Sequence, residues 1–246
     1  MTSFLENSTK TSAEQTYLEY ARDFNELNFP SVFAWLEEFN ELFHKKGFAL
    51  GKAAHPLALS PHPIFQTPVT NNPKLMIVGN NNSWFHTDKS NIAQQNRDEL
   101  SGQLPTINSY VDHQTPFGLS LRKIFGPPKA GFPGIGRPEM LRDCVGINRL
   151  WIQVGPVDKP KGMARGMDSV SKDSSPTLGV SFSDYCESRT RKLIDLISPE
   201  LLVLVGEPAR RLYRLNKEPE GIKVVYARHP ARGGERKAAE QIGEHV

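Results

Sequence analysis

The chain has 246 residues, 38% of them hydrophobic and 23% charged, with a formal net charge of +3. That length suits one domain, 1–246, with a single sizeable core, and the composition is that of an ordinary globular protein. Two cysteines, Cys144 and Cys186, exclude a disulfide framework and a four-cysteine iron–sulfur cluster. No apolar run approaches membrane-spanning length, and Met1 to Lys10 lacks the apolar core of a signal peptide. The expectation is a cytoplasmic monomer without membrane association, its two thiols buried and free.

In chain order, Thr2 to Ala13 is rich in Ser, Thr and Glu and is expected to be flexible. Glu14 to Phe29 reads as a helix, and Pro30 opens a second one that runs to about Lys46 and stops at Gly47. Phe29, Val32, Phe33, Leu36, Phe39 and Phe43 recur at helical spacing, which marks a core stripe. Lys52 to Pro73 is proline-rich and reads as an extended surface connector. His55 and His62 within it lack the i, i+4 placement of a metal pair on a helix, so they read as loop histidines.

Leu75 to Val78 is the first buried strand. Trp84 to His113 reads as polar and irregular, with a short helix around Ile92 to Leu100. Leu119 to Phe125 looks helical, and Gly126 to Pro138 is a loop dense in Gly and Pro. Val145 to Val154 reads as the second strand, and Asp158 to Ser181 as a long polar loop. Asp184 to Ile197 is a helix, Leu201 to Val205 a third strand, and a helix through Arg210, Arg211 and Tyr213 follows. Lys223 to Tyr226 is the fourth strand and Arg236 to Glu244 a closing helix. Short apolar strands alternating with helices predict an α/β fold: three α/β/α layers around a central, mainly parallel four-stranded sheet.

In such a sheet the segments just past the strands' carboxyl ends meet in one crevice. The loops there hold Gly79 to Ser83, Gly155-Pro156, Gly206-Glu207-Pro208 and His229-Pro230, and two of these, with Asn148 and Phe117 elsewhere in the chain, draw notice. Gly79 to Ser83 follows the first strand with a glycine that permits a sharp turn, then three asparagines that tolerate turn geometry and carry both a donor and an acceptor. An Asx-rich turn explains it equally well. Asn148 stands in an apolar run, where its amide must find partners. It can bond neighbouring backbone, or read the edge of a nucleobase. Phe117 precedes a helix, where an aromatic ring serves the core or stacks on a base. His229-Pro230 follows the last strand, and a histidine there is structural or donates a hydrogen bond to an anion.

From Arg189 to Val246 there are 12 Lys+Arg against 8 Asp+Glu, so the basic excess lies at the C-terminal end. A phosphate-bearing partner and a solvated basic face both fit that distribution.

The ordered set is strand-Gly-Asn-Asn, Pro-Phe-Gly with its helix, Asn148 in a strand, Leu-Leu-Val-Leu-Val-Gly, and strand-His-Pro. It resembles the uracil-DNA glycosylase superfamily, and within it the single-strand-selective monofunctional glycosylases, over roughly Lys74 to Gly234. The resemblance implies hydrolysis of the N-glycosidic bond of uracil or a related deaminated base in DNA. It places Asn81 where the family positions the attacking water and His229 where it stabilises the departing base. Phe117 falls at the base-stacking position and Asn148 at the pyrimidine-edge reader, with Gly79 and Asn80 lining the substrate site. Arg232 falls in the segment that enters the minor groove. Arg210, Arg211, Arg214, Arg228 and Arg236 are candidates for phosphate contacts. No metal or organic cofactor is implied, and the partner is DNA containing a damaged base.

Three stretches depart from the family pattern, one of them Trp84 to Gln114, which is longer than expected between the motif and the stacking aromatic and forms a lid or blocks the pocket. Asn82 and Ser83 replace Pro-Gly or Pro-Tyr, and Ala231-Arg232-Gly233 replaces Ser-Pro. A non-catalytic nucleic-acid-binding member of the same fold, an enzyme of free nucleosides, and a generic α/β binding domain are the alternatives.

Overall fold

A computed structural model of the chain describes residues 65–80, 82–83, 108–112, 115–150, 153–154, 179–214, 216–230 and 233–246, and the positions 12, 13, 15, 16, 19 and 172. Positions 12, 13, 15, 16 and 19 are helical. Most of the expected Glu14–Phe29 helix, the Pro30–Lys46 helix, the Ile92–Leu100 helix and most of the Asp158–Ser181 loop lie outside the described residues.

Four strands form a sheet whose pairings are all parallel: β1 (Leu75–Gly79), β3 (Val145–Asn148), β5 (Leu201–Val205) and β6 (Lys223–Ala227), in the order β3-β1-β5-β6. The fold is therefore α/β with a four-stranded parallel sheet. Residues of β1, β3 and β5 are buried throughout, as strands covered on both faces must be. Two-residue strands β2 (Asn82–Ser83) and β4 (Gln153–Val154) pair separately.

Alternate residues divide the sheet into two faces. Leu75, Ile77, Val203, Val205, Val225 and Ala227 share one core cluster with Tyr110 from α1 (Ser109–Asp112) and Leu121, Ile124 and Phe125 from α2 (Pro116–Phe125). Leu141 from α3 (Pro138–Arg142) and Ala238, Ala239 and Ile242 from the closing helix belong to it as well. The intervening Met76, Val78, Leu202 and Leu204 are equally buried. On their side lie α4 (Phe182–Ile197), with Leu193, Ile194 and Ile197 fully buried, and the short helix α5 (Gly206–Arg210) that runs into a 3-10 turn, Arg211–Tyr213. The closing helix is α6 (Glu235–Gly243). The described helices of the connection leaving β1 thus pack on one face, and Arg210, from the connection leaving β5, lies over Tyr226 on the other. In α/β sheets whose neighbouring connections diverge in this way, ligands bind just outside the carboxyl ends of the strands.

Three sequence expectations need correction. The second strand ends at Asn148 and does not reach Val154, because the chain bends and resumes pairing only at Gln153, with Asn82. The connector before β1 is not all surface. Phe65 bridges Ile147 antiparallel, Gln66 N–H donates to Gly146 O at 2.7 Å, and Thr67 Oγ1 accepts from Gly146 N–H at 2.8 Å. The outer edge of β3 needs partners for its backbone, and this segment supplies them while burying Phe65 and Thr67. Finally, Ser109–Asp112 is helical inside the stretch read as irregular. It is held because Asn108 donates to Leu141 O and Arg142 O while its own Oδ1 accepts from Tyr110 N–H.

Candidate functional site

The carboxyl edge of the sheet assembles a row of side chains on the α1–α2 face. Gly79 ends β1 directly opposite Asn148, the last residue of β3. A Cβ on Gly79 would lie 2.7 Å from Asn148 Oδ1. Only a glycine therefore lets the Asn148 amide lie across the end of β1. Asn148 itself is 5% exposed. Two residues earlier on the same face, Gly146 makes room for Tyr110, whose ring a Cβ would meet at 2.4 Å.

Tyr110 passes this packing on to Phe117, at 5.6 Å between ring centroids in an edge-on arrangement. Phe117 then meets His229, again at 5.6 Å, with the rings tilted by 44°. His229 continues the alternation of Val225 and Ala227 past the end of β6, which turns it to this face. Its imidazole also lies against Gly206, where a Cβ would stand 3.3 Å from His229 Cβ. Gly206 has φ +82°, a left-handed conformation that glycine adopts without strain. His229 remains exposed while Pro230 is buried.

The Thr115-Pro116-Phe117-Gly118 stretch has a local explanation too. Thr115 caps α2, its hydroxyl accepting from Gly118 N–H at 3.0 Å, and Pro116 takes the first helical turn. The helix therefore begins at Pro116, three residues ahead of the expected Leu119. Gly118 lets the turn approach the Tyr110 carbonyl, which a Cβ would meet at 2.9 Å. The cap thus sets where Phe117 points.

Gly79, Phe117, Asn148 and His229, named from the sequence, accordingly share one face and one edge. Asn80 turns to the opposite face. Its Oδ1 accepts two hydrogen bonds from Arg149, from Nε at 3.1 Å and from a terminal nitrogen at 2.9 Å. Arg210 also lies on that side, its guanidinium 5.2 Å from the Tyr226 ring centroid and 3.5 Å from Glu207. Arg228 is exposed and its backbone N–H donates to Gln241 Oε1 at 2.8 Å. Arg236 pairs along α6 with Glu240 at 3.0 Å. Asn81 and Arg232 lie outside the described residues.

Sequence reasoning missed Arg149 altogether. It is fully buried, its remaining terminal nitrogen donating to Ser183 Oγ at 2.9 Å and to Glu187, which also accepts from Ser183 at 2.6 Å. A signal existed. An arginine inside the apolar run Val145 to Ile152 must be paired if buried. Nothing in the linear pattern names Glu187 as the partner.

Among the described residues no group of three or more His, Cys, Asp or Glu could hold a metal, and no helix is long and apolar enough to cross a membrane. Both cysteines are free and buried. Burial pushes the Cys144 thiol up to about 12, and burial also raises the Tyr110 phenol well above its ordinary range. Neither group is a nucleophile near neutral pH. Comparisons with protein-family models and with curated proteins found no match to this chain.

Proposed function

We propose that the protein is a monofunctional DNA glycosylase that releases uracil or a related deaminated base. The observation that carries this reading is the contact between Phe117 and His229 on the same sheet face that bears Asn148 over Gly79. Chain segments remote in sequence supply a flat ring, an amide and an imidazole along one edge, which are the groups needed to hold a pyrimidine and accept its negative charge.

The base must first leave the stack, at a cost of about a few kcal/mol in duplex DNA and less in single strands. Phosphate contacts offset that cost, and the exposed Arg228 and the basic C-terminal region are their source. The extruded base lies against Phe117. The Asn148 amide offers its N–H to a carbonyl oxygen of the pyrimidine and its oxygen to the adjacent ring N–H. The glycosidic bond breaks towards a sugar cation and a base anion. His229 donates a hydrogen bond to that anion, and a preorganised donor of this kind is worth roughly 3–4 kcal/mol. Water then attacks the sugar, oriented by Asn81. A cationic sugar needs a placed water more than a strong base.

The test is incubation with a uracil-containing single-stranded oligonucleotide followed by alkaline cleavage at abasic sites. Strand breaks are expected with the wild-type protein. His229→Ala should lower single-turnover release by roughly 100-fold or more. Asn148→Asp should cost uracil recognition relative to other deaminated bases, because the carboxylate has no N–H to offer. Salt-sensitive binding without any base release would instead indicate a non-catalytic nucleic-acid-binding protein. Cleavage of free nucleosides alone would indicate a small-molecule enzyme.

A further inference from the structure

Behind the row of site residues, on the other face of the sheet, lies a buried polar network centred on Arg149. Every guanidinium nitrogen has a partner. Two converge on Asn80 Oδ1, at 3.1 and 2.9 Å, and the third reaches Ser183 and Glu187 of α4. The backbone reinforces the link, since Arg149 N–H donates to Gly79 O at 3.0 Å and Leu150 N–H to Asn80 O at 2.8 Å. The turn after β1 is thus fastened to the end of β3 by main chain and side chain together, and both are fastened to α4.

We propose that Arg149 is a positioning residue: by clamping Asn80 to α4 it fixes the strand ends that present Gly79 and Asn148 on the opposite face. The inference rests on the glycosylase reading. Its physical ground is that a buried ion pair is a poor source of stability. Burying both charges costs several kcal/mol per ion, and a well-packed apolar pair of similar volume is often no less stable. What such an apolar pair lacks is direction. A planar fork on one oxygen, with an ion pair behind it, permits one rotation of the turn, whereas apolar side chains permit several. Asn148 ends β3 and Arg149 follows it directly, the Asn148 amide lying over Gly79 and the Arg149 guanidinium held by Asn80, Ser183 and Glu187, so a rotation of the strand end that frees one displaces the other.

The experiment replaces the pair by an apolar one, Arg149→Met with Glu187→Leu, and compares it with the wild type on a uracil-containing single-stranded oligonucleotide. Phosphate contacts dominate affinity, so Kd should stay within about threefold. Single-turnover release should fall about 10–100-fold, the cost of misplacing a reacting group by a fraction of an ångström to an ångström. Backbone amides of the segment 75–80 should exchange faster with deuterium, while the melting temperature stays near that of the wild type. Should the double variant not fold, Arg149→Lys keeps the charge opposite Glu187 but has no fork for Asn80, and the same split between rate and affinity is expected. A folded variant that releases uracil at the wild-type rate, or whose affinity falls as much as its rate, overturns the positioning role and leaves the glycosylase reading standing. A wild-type protein that releases no uracil ends the glycosylase reading, and the role of Arg149 with it.

Discussion

Gly79 and Gly206 owe their identity to the side chains that lie against them. At Gly79 the neighbour is the Asn148 amide, 2.7 Å from where a Cβ would stand, and at Gly206 it is His229, at 3.3 Å. Gly79→Ala is expected to cost ~1–3 kcal/mol as an overpacked position and to turn the Asn148 amide aside. Urea unfolding reads the first effect; under the proposed glycosylase function, a single-turnover release of uracil at least tenfold lower reads the second. Gly206→Ala carries a backbone penalty as well, because φ is +82° there, and should cost roughly 1–2 kcal/mol with His229 displaced. The glycine at the end of the first strand was legible in the sequence as a place of close approach, but the approaching group was not. Asn80 shows the same limit. The family resemblance placed it at the substrate site, and in the folded chain its carbonyl oxygen is engaged by Arg149 on the far face.

At the scale of elements, buried strands read most clearly. β1, β5 and β6 fall within a residue of their expected bounds, because unbroken runs such as Leu201 to Val205 suit a strand covered on both faces. Short helices read poorly. Pro138–Arg142 has five residues, too few for a periodicity to appear, and its place is set by packing on α2 and by Asn108 beneath it. α2 starts three residues ahead of the expected Leu119, at a hydroxyl followed by proline, which is a helix-start signal. Thr115→Ala should destabilise the protein by about 0.5–2 kcal/mol, and Thr115→Ser by less, since the serine hydroxyl still caps. Thermal melts of the two variants check this. Under the proposed glycosylase function, release of uracil should fall more in the alanine variant than in the serine variant, because the cap also holds the turn that carries Phe117.

At the scale of the molecule, burial couples stability to alkaline pH. The Cys144 thiol has its pKa raised by burial from 9.0 to about 12, and the buried Tyr110 phenol is shifted in the same direction. A neutral group whose folded pKa lies above its unfolded one stabilises fully below the unfolded value. That contribution is lost as pH rises through the folded value. The urea midpoint should therefore fall between pH 9 and pH 12, and more gently in Cys144→Ala, which keeps only the tyrosine part. Thiol-modifying reagents should leave Cys144 untouched at pH 8 until the protein unfolds. The basic C-terminal region implies a second whole-molecule property. Under the proposed function, affinity for a uracil-containing strand should drop steeply between about 50 and 200 mM salt, and Arg228→Ala should flatten that dependence by about one counterion. A fluorescence-anisotropy titration across salt concentrations measures both.

The amino-acid sequence alone determined the α/β class, the three all-apolar or nearly apolar strands and the residue types at their carboxyl ends, because hydrophobic period and turn chemistry are local properties written in neighbouring residues. Only the tertiary structure decided that β1 lies between β3 and β5, that Asn148 crosses Gly79, that Phe117 touches His229, and that a buried arginine holds Asn80 on the reverse face. Strand order and facing side chains follow from how distant segments exclude water together, and that choice is made among contacts no linear pattern contains.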